Sequence, residues 1–265
     1  MSPNVDVKAP FIEVRDVSKT FFSRRSGSVE ALSKTTLSVS EKEFVCIVGP
    51  SGGGKSTLLN IVAGFLGPTT GEVVIGDDRV TRPSSSRVMV FQEFALFPWL
   101  TVEDNVGFGL DVAGISSKDR ATIVAEHLTL VRLSRFAKSY PSELSGGMKQ
   151  RVALARALAV DPEVLLMDEP FGALDAYTRN NLQRELLRIW EQQRKTVLFV
   201  THSIEEAVYL ADKVVVMAGR PGSVRAIIDI KAARPRDESD PEVIALRAQI
   251  RKLVLDASED EQSIE

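Results

Sequence analysis

A single cysteine in 265 residues leaves no partner for an internal disulfide, so packing alone must hold the fold. That residue, Cys46, sits in the apolar run FVCIVG, where the role of a small buried hydrophobe is expected. No apolar stretch approaches the roughly 20 residues needed to cross a bilayer. No basic segment followed by an apolar core opens the chain, so a secretion signal is not expected. These absences predict a soluble intracellular protein whose membrane role, if any, runs through a partner. A charge excess is lacking too: 33 Lys and Arg face 36 Asp and Glu, and nothing global points to nucleic acid. Internal repeats and long low-complexity segments are absent. What remains is ordinary globular composition, 44% hydrophobic and 26% charged, long enough for one large domain or a domain with a subdomain.

The first seventy-five residues read as strands around one Gly-rich loop. FIEVRDV alternates apolar and polar, ALSKTTLSVS follows, and EFVCIV is continuously apolar, as a buried strand should be. A helix is predicted from about Lys55, carrying Leu58, Leu59, Ile61, Val62 and Phe65, and ended by Gly64, Gly67 and Pro68. GEVVIG and RVMVF read as further strands. Thr101 with Asp104, Ser116 with Asp119, and Ser203 with Glu206 have capping-box spacing and predict three helix starts. VLLM, TVLFV, KVVVM and VRAIIDI read as strands, and TRNNLQRELLRIWEQQ as a helix. A last helix is predicted from Asp240 and Pro241 to about Asp256, followed by a frayed acidic end. SRRSGS (23–28) and PSSS (83–86) read as surface loops.

Chemistry concentrates in a few segments. Gly49, Pro50, Ser51, Gly52, Gly53, Gly54, Lys55 and Ser56, with Thr57 after them, fit the phosphate-loop pattern between a buried strand and a helix. Successive backbone N–H groups can curl around phosphates, Lys55 adds positive charge at the β and γ positions, and Ser56 offers a hydroxyl to Mg²⁺. In VLLMDEP, Asp168 ends a buried strand and suits metal binding through water. Its neighbour Glu169 is the candidate base for an attacking water. Gln92, after RVMVF, can contact Mg²⁺ or that water. His202, after TVLFV, can hydrogen-bond a γ-phosphate oxygen or serve as a local cap. The other histidine, His127, has no predicted role.

LSGGMKQR, from Leu144 to Arg151, starts a second helix with small residues, which is an anion site without a lysine. Two phosphate-binding devices but one lysine suggest that each nucleotide needs both, from two copies of the chain. Asp175, in FGALD, is either a contact across such a dimer or a helix cap. EFALFPWL, apolar without regular period, is either a docking surface or a turn packed into its own core.

Taken in order, these residues resemble the ATP-binding subunit of an ABC transporter. ALFPWLTVEDNV, DEPFGALDAYTR, Pro221-Gly222 and RPRD are similar to the subunits of bacterial importers for nitrate, sulfonates, taurine and related solutes. The resemblance runs from about Phe11 to about Val254. It implies an α/β fold: a P-loop NTPase core with a mixed sheet, an antiparallel β subdomain and an inserted helical subdomain. The expected division is 1–91 for the β subdomain and phosphate loop, 92–160 for the helical part, 161–232 for the rest of the core, and 233–265 for a helical extension. It further implies ATP and Mg²⁺ as ligands and a head-to-tail homodimer on the cytoplasmic face of a membrane. In that dimer Ser145, Gly146 and Gly147 of one copy complete the site of Lys55, Ser56, Gln92, Asp168, Glu169 and His202 of the other. Phe21 matches the position that stacks on adenine, with Phe22 as the alternative. Membrane-spanning subunits would dock near residues 93–100, and a separate binding protein would select the solute. A soluble ABC-type ATPase of DNA maintenance or translation is the competing expectation, without the long coiled coil or second cassette usual there. Four departures stand out: Lys42 where a Gly is usual, Gly53 for a frequent Cys, Ser203 for a common Asp, and an SRRSGS loop longer than usual, which bears on which Phe meets adenine.

Overall fold

The computed structural model describes residues 10–23 and 27–262, with the backbone alone for Ser23 and for 257–262. Along the chain run β1 (Pro10–Ser23), β2 (Gly27–Ser40), β3 (Phe44–Val48), α1 (Lys55–Ala63), β4 (Thr70–Ile75), β5 (Asp78–Arg79) and β6 (Arg87–Val90). Then come α2 (Val102–Val112), α3 (Ser117–Leu130), α4 (Gly146–Ala159), β7 (Val164–Asp168), α5 (Ala176–Gln193) and β8 (Thr196–Thr201). The chain closes with α6 (Ile204–Leu210), β9 (Lys213–Ala218), β10 (Ser223–Asp229) and α7 (Pro241–Gln262). It divides into two compact units, one formed by residues 1–83 with 202–265 and one by 84–201.

The first unit holds an antiparallel sheet in the order β2-β1-β4-β5. Ile12 and Val14 point inward, as alternation predicts, but Asp16 takes a positive φ of 49° at a register shift and Val17 becomes the next buried residue. A bulge of this kind re-aims the strand without breaking it. Strands β10, β9 and β3 form a second ladder, with β9 parallel to β3 and antiparallel to β10. All five residues of β3 are buried, and each large apolar one contributes about 2 kcal/mol of hydrophobic stabilisation. Burial pushes the Cys46 thiol well above its ordinary pKa, which keeps it inert. Lys42 turns the chain into β3 with φ 62°, a left-handed conformation a glycine would adopt more easily. The departure noted in the sequence therefore keeps the turn at the cost of local strain.

The C-terminal segment is fastened by arginines. Arg236, 6% exposed, donates to the carbonyls of Val208, Tyr209 and Ala232. Arg234 donates to Leu210 O and pairs with Asp212 at 2.6 Å. Guanidinium groups thus meet the last carbonyls of α6, which no further helical turn can satisfy. Burial, reinforced by the nearby Arg234 charge, lowers the Arg236 pKa to about 10, which still leaves it charged at neutral pH. Arg236→Met is expected to cost about 3 kcal/mol, because it strands buried carbonyls. A thermal melt lowered by less than about 2 °C would count against this account. Helix α7 reaches Gln262, six residues beyond the predicted end near Asp256, so 258–262 are helical rather than frayed. The last three residues of the acidic end lie outside the described residues, as does the middle of the SRRSGS loop; Gly27 and Ser28 belong to β2.

The second unit holds a parallel ladder β8-β7-β6. Helix α5 buries Leu182, Leu186, Ile189 and Trp190, the stripe its spacing predicts. The predicted caps are realised as N-caps rather than as full capping boxes: Thr101 Oγ1 accepts from Asp104 N and Ser116 Oγ from Asp119 N, both at 3.2 Å, while each aspartate carboxylate accepts from the cap hydroxyl and not from its backbone N–H. In the first unit Ser203 Oγ accepts from Glu206 N, so serine caps α6 in place of the usual aspartate.

Candidate nucleotide site

In the first unit the phosphate loop follows the buried strand β3 and ends in α1. Gly49 adopts φ 155°, and a Cβ there would lie 2.2 Å from the Met217 carbonyl oxygen, so β9 passes too close for any side chain. Gly222 is in the same situation, with a Cβ 2.2 Å from Gly53 O. This explains the Pro221-Gly222 pair as a backbone brace, held by Ser33 N donating to Gly222 O at 2.9 Å. Arg220 adds to the brace by donating to Ser51 O at 3.2 Å; nothing in the sequence alone marked it. The Lys55 amino group is buried and donates to the carbonyls of Gly49 at 2.9 Å and Pro50 at 2.7 Å. Ser56 is exposed beside it. Helix α1 begins at Gly54 with no side-chain cap and no acid in its first turn. With no acid at this start, the positive end of the dipole is uncompensated, which suits an anion.

Helix α4 begins in the second unit with a related design. Ser145 caps it by accepting from Met148 N at 3.3 Å, and its first turn carries no acid. Every other α-helix among the described residues has an acid at its cap or in its first turn: Glu103 and Asp104, Asp119, Asp175, Glu205 and Glu206, Asp240 and Glu242. Among the α-helices of the described residues, α1 and α4 alone start without an acid to compensate the positive end of the dipole. Gly147 has no room for a side chain, since a Cβ would lie 2.6 Å from Thr178 Cγ2. Further along α4, Arg151 pairs with Glu185 of α5 at 2.9 Å. Burial raises the Glu185 carboxyl above its ordinary value, and the Arg151 charge opposes that shift.

The second unit also brings together Gln92 and Glu169. A Cβ on Gly172 would lie 3.3 Å from Gln92 Nε2 and 3.7 Å from a Glu169 carboxylate oxygen. Gly172 carries no local sequence signal, because only the folded chain shows that a Cβ there would meet both Gln92 and Glu169. Glu169 is held in a left-handed conformation, φ 45°, by its N–H to Val200 O at 2.9 Å. Asp168 ends β7 half-buried. Asp175 is the cap of α5: its carboxylate accepts from Thr178 N at 2.9 Å, and these hydrogen bonds hold it below the usual carboxylate range. Of the two readings of Asp175, the cap is realised, and it leaves an exposed residue at the surface.

In the first unit, His202 is exposed and directly precedes the Ser203 cap. Phe21 and Phe22 are exposed at 41% and 81%, and the Lys19 ammonium lies 5.2 Å from the Phe21 ring centroid.

The 93–100 loop of the second unit has no regular structure and is partly buried, with Trp99 71% exposed. Phe97 packs against Trp99 at 5.7 Å and Phe108 at 4.4 Å between ring centroids. Phe97 is half-buried in a surface aromatic cluster with Phe108, while Trp99 stays in solvent.

Residues 32–172 match the family model described as ABC transporter. The chain is 48% identical over 245 residues to an ABC transporter ATP-binding protein of Methanocaldococcus jannaschii, covering 92% of this chain and 91% of that one. It is 47% identical over 239 residues to the aliphatic sulfonates import ATP-binding protein SsuB of Bacillus thuringiensis, covering 90% and 94%. Its fold is similar to the ATP-binding cassette MJ0796, solved as a dimer in a post-hydrolysis state with ADP and Pi. That likeness has a TM-score of 0.73 and 34% identity over 84% of this chain and 100% of the other.

Proposed function

Because the chain belongs to the ABC transporter family as an ATP-binding subunit with ATPase chemistry, we propose that it powers an importer of sulfonate-like small solutes. The observation that carries this reading is the pair of uncompensated helix starts, one with Lys55 and one with Ser145. A nucleotide polyphosphate is the anion that such a pair suits, and two copies arranged head to tail supply one lysine-bearing and one serine-bearing start to each ATP.

In this reading the phosphate-loop backbone binds the phosphates, and the Lys55 ammonium offsets their charge. Ser56, Asp168 and Gln92 are hard oxygen donors of the kind Mg²⁺ takes alongside phosphate oxygens. Among the described residues no cluster of three or more His, Cys, Asp or Glu could hold a metal by itself. Bound MgATP supplies the scissile γ-phosphoryl group and a divalent charge. Glu169 accepts the proton of the attacking water, Gln92 orients that water, and His202 donates to a γ-phosphate oxygen. From the second copy, Ser145 and the N–H groups of Gly146 and Gly147 meet the same phosphate, with Asp175 beside them. Phe21 stacks on the adenine, with Phe22 as its neighbour on the strand. Sulfonate-like solutes are favoured by the likeness to SsuB.

No helix among the described residues is long and apolar enough to cross a membrane. The proposed route to the membrane is docking of membrane-spanning subunits on the 93–100 loop, with the subunit peripheral at the cytoplasmic face and a binding protein delivering solute. Co-expression with the membrane-spanning subunits tests this. Trp99→Ala is expected to retain ATP binding and to lose most co-purification, since one buried aromatic anchor at an interface is worth about 2 kcal/mol or more. Undiminished co-purification removes the docking assignment.

A further inference from the structure

The 93–100 loop is irregular yet braced from two sides by side chains of the same unit. Asn105, fully buried in α2, donates through Nδ2 to the carbonyls of Phe97, Leu100 and Thr101 at 2.9–3.1 Å. It also accepts from Phe97 N at 2.9 Å. This fixes the distal half of the loop to the helix that follows it.

The proximal half is fixed differently. Arg156 of α4 donates through Nη1 to Ala95 O at 2.7 Å and through Nη2 to Phe94 O at 3.2 Å. Its guanidinium carbon lies 5.5 Å from the centroid of the Phe97 ring. Ala95 is held at φ 46°, a conformation alanine rarely adopts without external support. A planar fork that spans two successive carbonyls and lies near an aromatic ring specifies one loop shape, as a flexible ammonium does not.

Arg156 shares its helix with Ser145, about 16 Å along the axis at 1.5 Å per residue. An α-helix of this length moves as a rigid rod. Displacement of the serine-bearing start therefore carries the guanidinium, and with it the two carbonyls and Phe97, which contacts Trp99. We propose that Arg156 is a positioning residue that ties the shape of the Phe94–Leu100 loop to the position of α4, delivering nucleotide-driven movement of the signature end to the face that meets the membrane-spanning partner. The partner's role rests on the docking reading above; the mechanical link does not.

The chain supplies its own reporter. Trp99 is 71% exposed and Trp190 is 4% exposed, and these are the two tryptophans of the sequence. Acrylamide quenching therefore reads Trp99. In full-length Glu169→Gln protein, MgATP is expected to change that quenching. Arg156→Lys added to it should retain ATP binding and lose the change, because one ammonium replaces the two-pronged grip. Arg156→Gln, uncharged but still a donor, makes the same comparison if the lysine variant does not fold. In the reconstituted transporter with Glu169 intact, Arg156→Lys should lower solute uptake per ATP by roughly fivefold while still co-purifying with the membrane-spanning subunits. A quenching change of full size in both Arg156 variants, or none in the parent, overturns the proposal. Neither result touches the docking reading, which is decided by Trp99→Ala.

Discussion

Glu169→Gln should bind MgATP as the parent does, accumulate as ATP-held dimers, and turn over roughly 10³-fold more slowly. The amide preserves the size and hydrogen-bonding shape of the side chain but cannot take a proton from water. A thousandfold loss corresponds to about 4 kcal/mol of barrier, far beyond the packing cost of an isosteric change at a half-buried position. The backbone supports this separation of binding from chemistry: Glu169 is anchored through its N–H to Val200 O, a bond independent of the side chain. Phosphate release and size-exclusion chromatography, each with and without ATP, read the two halves of the prediction. Turnover within about tenfold of the parent would assign the base to another group.

Two inactive variants should restore each other when mixed. Lys55→Ala removes the buried ammonium of the phosphate loop, and Ser145→Arg blocks the start of α4 with a bulky side chain. Each alone is expected to retain at most about 1% of turnover, the loss typical of one removed transition-state donor. In a heterodimer of the two, one site contains both lesions and the other contains neither. Random pairing in a symmetric dimer leaves roughly a quarter of all sites intact, so activity should rise well above either variant alone. This outcome depends on the serine-bearing start acting on the nucleotide of another copy. If each chain served its own ATP, mixing would add two near-zero rates, and no recovery would be seen.

Much of this protein was readable from spacing. The side-chain caps at Thr101, Ser116 and Ser203 and the stripe on α5 depend on contacts within one helix or its flanking turn, where sequence distance and spatial distance are nearly the same. The phosphate loop and the signature octet are contiguous for the same reason, and their chemistry is carried by residue type. The family followed from their order along the chain.

The structure departs from the sequence pattern at two places. The alternation of FIEVRDV predicts a regular strand, but Asp16 bulges out of β1. The end of α7 is a local matter: the helix runs six residues past Asp256, because an acidic composition lowers helix propensity only weakly.

The residue types by themselves determined that this chain binds a polyphosphate: glycines, one lysine and two helix starts without acids need no tertiary information to be recognised. Only the folded structure decided what holds those devices in shape. Gly222 lies against the phosphate loop 169 residues after Gly53, and Gly172 makes room for Gln92 80 residues before it. Arg156 grips a loop 61 residues upstream. Close approach of two backbones, or a guanidinium meeting the carbonyls of another segment, leaves no local pattern, since what selects the residue is the space and the acceptors that remote chain provides.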